Sequence, residues 1–373
     1  MERIVIVMPA WNEAMNIKEM IDVLLTTEFP KINAEMHLLV VDNHSKDGTD
    51  KIVEEFSKKH KNIHVIQQKN KGLGWAYVTG MEYAVNTLHA DGILEMDADF
   101  QHPPRFIKPM VDAYLTGADY VIGSRYIEGG SVPKEWATSR KAISYFGNLF
   151  IRLVLLNFKI HDLTTGFRLS RVKGVLDKID LNNLMELDRF AYKVDLLYQS
   201  LKNSKKIVEV PLAFASRTKE QSKFNYKEMI STFRVAIILG IKDKERFIKF
   251  AVVGFTGFIV NFIALRLFRK AIGIEILAWT FSTELAIISN FTLNNLWTFK
   301  SEKIQGLNKL IIKFLQFNLG SAGAIIIESI GGYYGVGLIG AKYDFIVLGF
   351  VVAFLVLPYN YFIYNKFIWK TKK

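Results

Sequence analysis

The sequence predicts an α/β domain built on a mostly parallel sheet, followed by an α-helical domain of four transmembrane spans. Three observations carry this expectation. Short apolar runs alternate with helix-length segments through the first 226 residues, the pattern of strands joined by crossover helices. Four stretches of the length needed to cross hydrocarbon occupy the last third. Charge divides the same way, with net +3 on residues 1–240 and +9 on residues 241–373. Basic residues bracketing long apolar runs point to a lipid bilayer, so no nucleic-acid partner is expected. The absence of cysteine among 373 residues, half of them hydrophobic, excludes disulfides and thiolate metal sites. The opening MERIVIVMPAWNE turns polar too soon for a signal peptide, so no export of the amino-terminal domain from the cytoplasm is expected.

In chain order, RIVIVMP is an apolar run expected to form a buried strand, and residues 14–27 suit a helix. HLLVVD is the second strand, followed by a helix over 49–60 and the strand IHVIQQ. A helix over 74–88, the strand GILEMD, a helix over 104–115 and the strand YVIGS complete the alternation. In such sheets ligands gather at the carboxyl ends of the strands. The polar motifs fall there: Pro9 to Glu13, Asp42 to Thr49, Asp97 to Gln101, and Arg125.

The stretch GILEMDADFQHPP sets Asp97 and Asp99 two residues apart, on one side of an extended chain. With Gln101 next on that side, the three could hold a hard cation; alone, Asp-x-Asp is more often a polar turn. A dinucleotide fingerprint fails, because KGLGWAY has Tyr77 where the third glycine belongs and does not follow the first strand. An EF-hand loop fails because His102 stands where its glycine should.

Residues 227–246, KEMISTFRVAIILGIKDKER, repeat Met229, Ile230, Phe233, Ile237 and Ile238 at helical spacing beside Lys227 and Arg234. This suits an interfacial helix on anionic headgroups; a core helix with a charged tail is the alternative. Spans are expected over 247–268, 275–298, 311–333 and 344–367. Twelve Lys or Arg flank them on the side of the amino-terminal domain and four on the other, which puts that domain in the cytoplasm. FIKF at Phe247 returns as IIKF at Ile311, and NFTLNNLWTFK is echoed by NYFIYNKFIWK, pairing Asn290 with Asn360 and Asn295 with Asn365. A duplicated helical hairpin explains the echo. Glu284 and Glu328 lie inside spans, where interhelical hydrogen bonding is the expected role.

The series MPAWNE, VVDNHSKDGT, KGLG, MDADFQHPP, GSRYIEGG and TTGFR, in this order and spacing, resembles family 2 glycosyltransferases of the GT-A fold. Among them the polyprenyl-phosphate hexose synthases, and the archaeal dolichyl-phosphate mannose synthases in particular, are most similar. The resemblance covers residues 1–226; the tail, 247–373, is similar to GtrA-like membrane domains. It implies an inverting transfer of a hexose from a nucleotide-sugar to the phosphate of a membrane polyprenyl (dolichyl) phosphate, with GDP-mannose favoured and UDP-glucose the alternative donor. By motif position Pro9, Trp11, Glu13, Asp42, Gly72 and Asp97 would hold the nucleotide-sugar, and Asp97, Asp99 and Gln101 a Mg2+ or Mn2+ ion. Arg125, Arg140 and Arg217 would join Asp99 in catalysis by gripping phosphate, with Ser144 and Lys223 as further contacts to the acceptor. Charge at Arg140 and Lys141 would equally serve attraction to a membrane surface.

An ionised lipid phosphate needs no general base, so Asp188 in MELDRF is given no catalytic duty. The chain lacks the Q-x-x-R-W of processive synthases, which favours a single transfer. It departs from the family pattern at Asn43, where a second Asp is common, and at Glu220 and Gln221 before Ser-Lys. A lipid-linked sugar flippase or transporter with a nucleotide-sugar-binding domain is the alternative of a different class.

Overall fold

The computed structural model describes residues 1–68, 70–216 and 226–370. The five expected strands form as β1 (Arg3–Ala10), β2 (Glu35–Asp42), β3 (Ile63–Gln67), β4 (Gly92–Glu95) and β5 (Tyr120–Ser124). Two more, β6 (Arg168–Arg171) and β7 (Ile207–Pro211), complete a sheet of order β3-β2-β1-β4-β6-β5-β7. All pairings are parallel except those of β6, which runs antiparallel to both β4 and β5. The register sets Ala10 opposite Asp42 and Asp42 opposite Gln67, so the carboxyl ends of three strands finish level.

β1 shows why this sheet forms. Its side chains alternate faces. Ile4, Ile6 and Met8 enter one apolar layer with α1 (Ala14–Val23), α2 (Thr49–Lys59) and α4 (Ile107–Leu115). Val5 and Val7 enter a second layer with α3 (Leu73–Asn86). A strand covered on both faces must be apolar throughout, which is how RIVIVMP reads. The expected helix over 14–27 continues past α1 as a widened turn, Leu24–Glu28, and that over 104–115 opens with a tight turn, Pro104–Phe106.

Helices α5 (Thr138–Leu155) and α6 (Tyr192–Asn203) and the first part of α7 (Tyr226–Ile272) build a third layer over β5. Val235, Ala236 and Leu239 of α7 are buried there, while Ile230, Ile237 and Ile241 stay exposed. The chain divides into two compact units, Met1–Gly240 and Ile241–Lys373. The segment expected to lie at an interface from residue 227 therefore begins inside the first unit, because one of its faces packs into that core.

In the second unit α7 is followed by α8 (Glu275–Leu293), α9 (Leu307–Ile339), α10 (Asp344–Val351) and α11 (Leu357–Ile363). Among the described residues three stretches are long and apolar enough to cross a membrane: Tyr226–Ile272, Ile276–Thr298 and Gly349–Ile368. The repeat read in the sequence has a counterpart. Asn294–Thr298 and Tyr364–Ile368, matched in the echo, both form widened turns at the ends of their hairpins. The matched rings of Phe299 and Trp369 stack on one another, 4.3 Å between centroids and 9° from parallel. Trp369 Nε1 donates to Asn295 Oδ1 at 3.1 Å, and the same oxygen accepts from Ile304 N–H. Glu284 is exposed on α8; the Glu328 side chain lies outside the described residues.

Candidate active site

A cavity of about 860 Å³ opens over the carboxyl edge of the sheet in the first unit. The loops after β1 and β2 form part of its wall and are laced together. Asn12, in the left-handed region at φ 56, donates from its N–H to Ser45 Oγ and accepts from Lys46 N–H. Glu13 N–H donates to Thr49 Oγ1, and Ala14 N–H to Asp47 Oδ2. This lacing presents Pro9, Trp11 and Glu13 to the cavity, with Trp11 half exposed. Asp42 closes β2 beside that wall. It is fully buried, accepts Ser45 N–H on Oδ2 and stays off the wall, which Asn43 lines instead. As the last residue of β2 it is still paired within the sheet, one position short of the loop.

Gly72 also lines the cavity, for a steric reason. Its φ of +126° is open only to glycine, and a β-carbon there would come within 2.5 Å of Asp188 Cα. The KGLG and MELD segments are pressed together, and Trp75 Nε1 donates to Asp188 Oδ1 at 3.1 Å. Gly72→Ala is expected to lower stability by about 2–3 kcal/mol, read from the midpoint of thermal unfolding; an unchanged midpoint would contradict this packing.

After β4 the chain bends instead of staying extended, with Phe100 left-handed at φ 61. The bend still brings Asp97, Asp99 and Gln101 to the cavity wall. Asp97 Oδ1 accepts Tyr77 O–H at 2.9 Å and faces Lys193 Nζ at 3.7 Å. Asp99 Oδ1 accepts Gln101 N–H at 3.1 Å. His102 Nδ1 accepts Asp97 N–H, which leaves the ring proton on Nε2. Burial against Phe167 and Phe214, opposed by Asp97, lowers the pKa of this histidine to about 4, so it is a neutral brace for the loop. Glu95, at the end of β4, is fully buried, and desolvation raises its carboxyl above the ordinary value against the pull of Arg168 and Lys193.

Two carboxylates and an amide are the hard oxygen ligands that magnesium or manganese prefers. Among the described residues no group of three or more His, Cys, Asp or Glu side chains is disposed to hold a metal ion. Asp97, Asp99 and Gln101 bring side-chain oxygens of that kind to the cavity wall.

Arg125 lines the cavity with most of its fork already committed. Its Nε donates to Asp162 Oδ2 at 2.7 Å and its Nη2 to Asp162 Oδ1 at 2.8 Å and Thr164 Oγ1 at 2.6 Å. Nη1 makes no hydrogen bond among the described residues. Asp162 also accepts N–H from Arg125, Thr164 and Thr165. Burial opposes its ionisation, but Arg125 and these donors outweigh burial and hold its carboxyl below the ordinary value. Nothing in the motif pattern singled out Asp162; the only signal was an acid just ahead of TTGFR.

Arg140 and Ser144 line the cavity from α5. The Arg140 guanidinium carbon lies 3.9 Å from the centre of the Trp136 ring, and Ser144 Oγ is 2.6 Å from Tyr126 Oη. The remaining wall is apolar, from Trp136, Ile143, Ile151 and Phe214 to Met229 and Phe233 of α7. Arg217 and Lys223 lie outside the described residues.

Residues 5–177 match the glycosyl transferase family 2 profile, and residues 249–369 match the GtrA/DPMS transmembrane domain. The chain is 31% identical over 359 residues to the dolichol-phosphate mannosyltransferase of Pyrococcus furiosus, covering 95% of this chain and 97% of that one. It is 34% identical over 252 residues to the polyprenol monophosphomannose synthase of Mycolicibacterium smegmatis, covering 66% and 91%. It is also 34% identical over 224 residues to the undecaprenyl-phosphate mannosyltransferase of Micrococcus luteus, covering 60% and 88%.

Proposed function

This chain belongs to the family 2 glycosyltransferases and carries a GtrA/DPMS transmembrane domain behind the catalytic one, and from that premise we propose that it transfers mannose from GDP-mannose to a polyprenyl phosphate at the cytoplasmic face of a membrane. The observation that carries this reading is one cavity with three kinds of wall. It joins a carboxylate corner at Asp97 and Asp99, arginines at Arg125 and Arg140, and the apolar side chains Ile143, Met229 and Phe233. A sugar diphosphate needs the first, two phosphates brought together need the second, and a lipid tail needs the third. The names of the three relatives support mannose and a polyprenyl acceptor. Membership in a glycosyltransferase family supports transfer over the transporter alternative.

The chemistry follows from these residues. An acceptor phosphate oxygen attacks the anomeric carbon as the bond from that carbon to the diphosphate oxygen breaks, inverting the centre. The acceptor oxygen is already ionised, so no proton need be removed, and Asp188, engaged by Trp75, has no such duty. Arg125, aimed by Asp162, and Arg140, laid over Trp136, offset the repulsion between the two anions. Pro9, Trp11, Glu13, Gly72 and Asn43 form the nucleoside wall. A magnesium or manganese ion held by Asp97, Asp99 and Gln101 would neutralise the charge growing on the leaving diphosphate. Arg217 and Lys223 remain candidates for further phosphate contacts. Exposed Tyr145, Phe146 and Leu153 on α5, beside Arg140 and Arg152, suit a helix that meets the bilayer where the lipid arrives.

Radiolabelled GDP-mannose and UDP-glucose, offered side by side with polyprenyl phosphate in detergent, test the reading. Label is expected in the lipid phase from GDP-mannose. Label from UDP-glucose alone would transfer the assignment to a glucosyltransferase, and label from neither would count against the proposed pairing of donor and acceptor.

A further inference from the structure

Behind the cavity wall lies a positive charge that the transfer step does not use. Lys193, in the first turn of α6, is 1% exposed, and its ammonium has no hydrogen-bond partner among the described residues. Its ion partner is Asp97, 3.7 Å away at Oδ1, the oxygen that also accepts the Tyr77 hydroxyl. The ammonium lies 4.9 Å from the ring centres of both Tyr77 and Phe190. Gly166, on the cavity wall, leaves it just enough room, because a β-carbon there would overlap Nζ. The neighbouring cation, Arg168, is already committed to the carbonyls of Lys193 and Leu163.

A cation buried without hydrogen bonds is costly, and here it is held beside one of the two carboxylates of the cation corner. We propose that Lys193 is a positioning residue that couples cation binding to donor binding. Its charge orients the Asp97 carboxylate and opposes a divalent ion at Asp97 and Asp99 while the cavity is empty. When the nucleoside diphosphate enters with its own negative charge, the balance reverses and the ion binds. Cation and nucleotide then arrive together and, after transfer, leave together. This inference rests on reading Asp97 and Asp99 as the cation and diphosphate site.

Mn2+ binding to the full-length protein in detergent, followed by loss of the free-ion electron paramagnetic resonance signal beyond that caused by the same nucleotide without protein, tests it without any turnover. In the wild type, GDP or UDP is expected to tighten Mn2+ at least about ten-fold. Lys193→Met is expected to raise the nucleotide-free Mn2+ affinity by about ten-fold and to shrink the gain from nucleotide, and Lys193→Arg to keep the wild-type coupling. A merely structural lysine would move the other way, since its loss would weaken Mn2+ with and without nucleotide. That outcome overturns the inference. Equal Mn2+ affinity of the wild type with and without nucleotide overturns it also, and needs no variant to fold. Absence of Mn2+ binding even with GDP and UDP would remove the cation site itself, and the coupling with it.

Discussion

Asp99→Asn is expected to lower the transfer rate by about 10²–10³-fold while leaving the protein folded. The substitution keeps the volume of a side chain that is only 6% exposed, and it keeps Oδ1 as the acceptor for Gln101 N–H. What it removes is one negative charge from the corner proposed to gather a divalent ion against a diphosphate. The loss should appear in kcat at saturating donor, because the charge on the leaving group grows in the transition state. The thermal midpoint should stay within a degree or two of wild type. Full activity with normal metal dependence in this variant would show that the carboxylates after β4 serve only to close a turn.

The second large effect is expected at Asp162→Asn, on stability as well as rate. Asp162 and Arg125 form a buried pair in which the carboxylate also takes three backbone N–H groups. Removing one partner leaves the other charged and unpaired, which costs about 3–5 kcal/mol. Denaturant unfolding at neutral pH should show that loss, and transfer should fall too because Nη1 of Arg125 loses its aim. The pH dependence has a definite sign. The folded carboxyl lies below its ordinary value, so its stabilisation is present above about pH 4 and is lost as pH falls through the lowered folded value. The gap between wild type and variant should therefore narrow in acid. Pairing the change with Arg125→Met should restore much of the stability but none of the activity. Recovered activity in the double variant would mean that Arg125 only holds the loop.

The two predictions differ in how they could be seen. Asp99 stands in a local motif at the end of an apolar run, so strand period and motif together placed it on the sheet edge before any coordinates. Asp162 could not be found that way. Its partner is 37 residues distant, and β6, which follows it, is a short polar-looking strand whose Arg168 is fully buried. Lys193 is harder still to read, since a lysine early in a helix is normally solvated; only Gly166, Tyr77, Phe190 and Asp97 converging from four other segments make it a buried charge. Asp42 shows the reverse case, a motif residue that strand pairing keeps one position short of the cavity.

The sequence by itself determined the alternation of strands and helices, the placing of the carboxylates and glycines after the strands, the apolar spans and the echo between the two hairpins. These rest on hydrophobic period and local turn chemistry, which act over a few residues and are written in consecutive letters. Tertiary structure decided the antiparallel insertion of β6, the clamp of Asp162 on Arg125, the exchange of Asn43 for Asp42 on the wall and the burial of Lys193. Each depends on which distant segments meet, and electrostatic pairing in a buried place is a property of that meeting and not of any one segment.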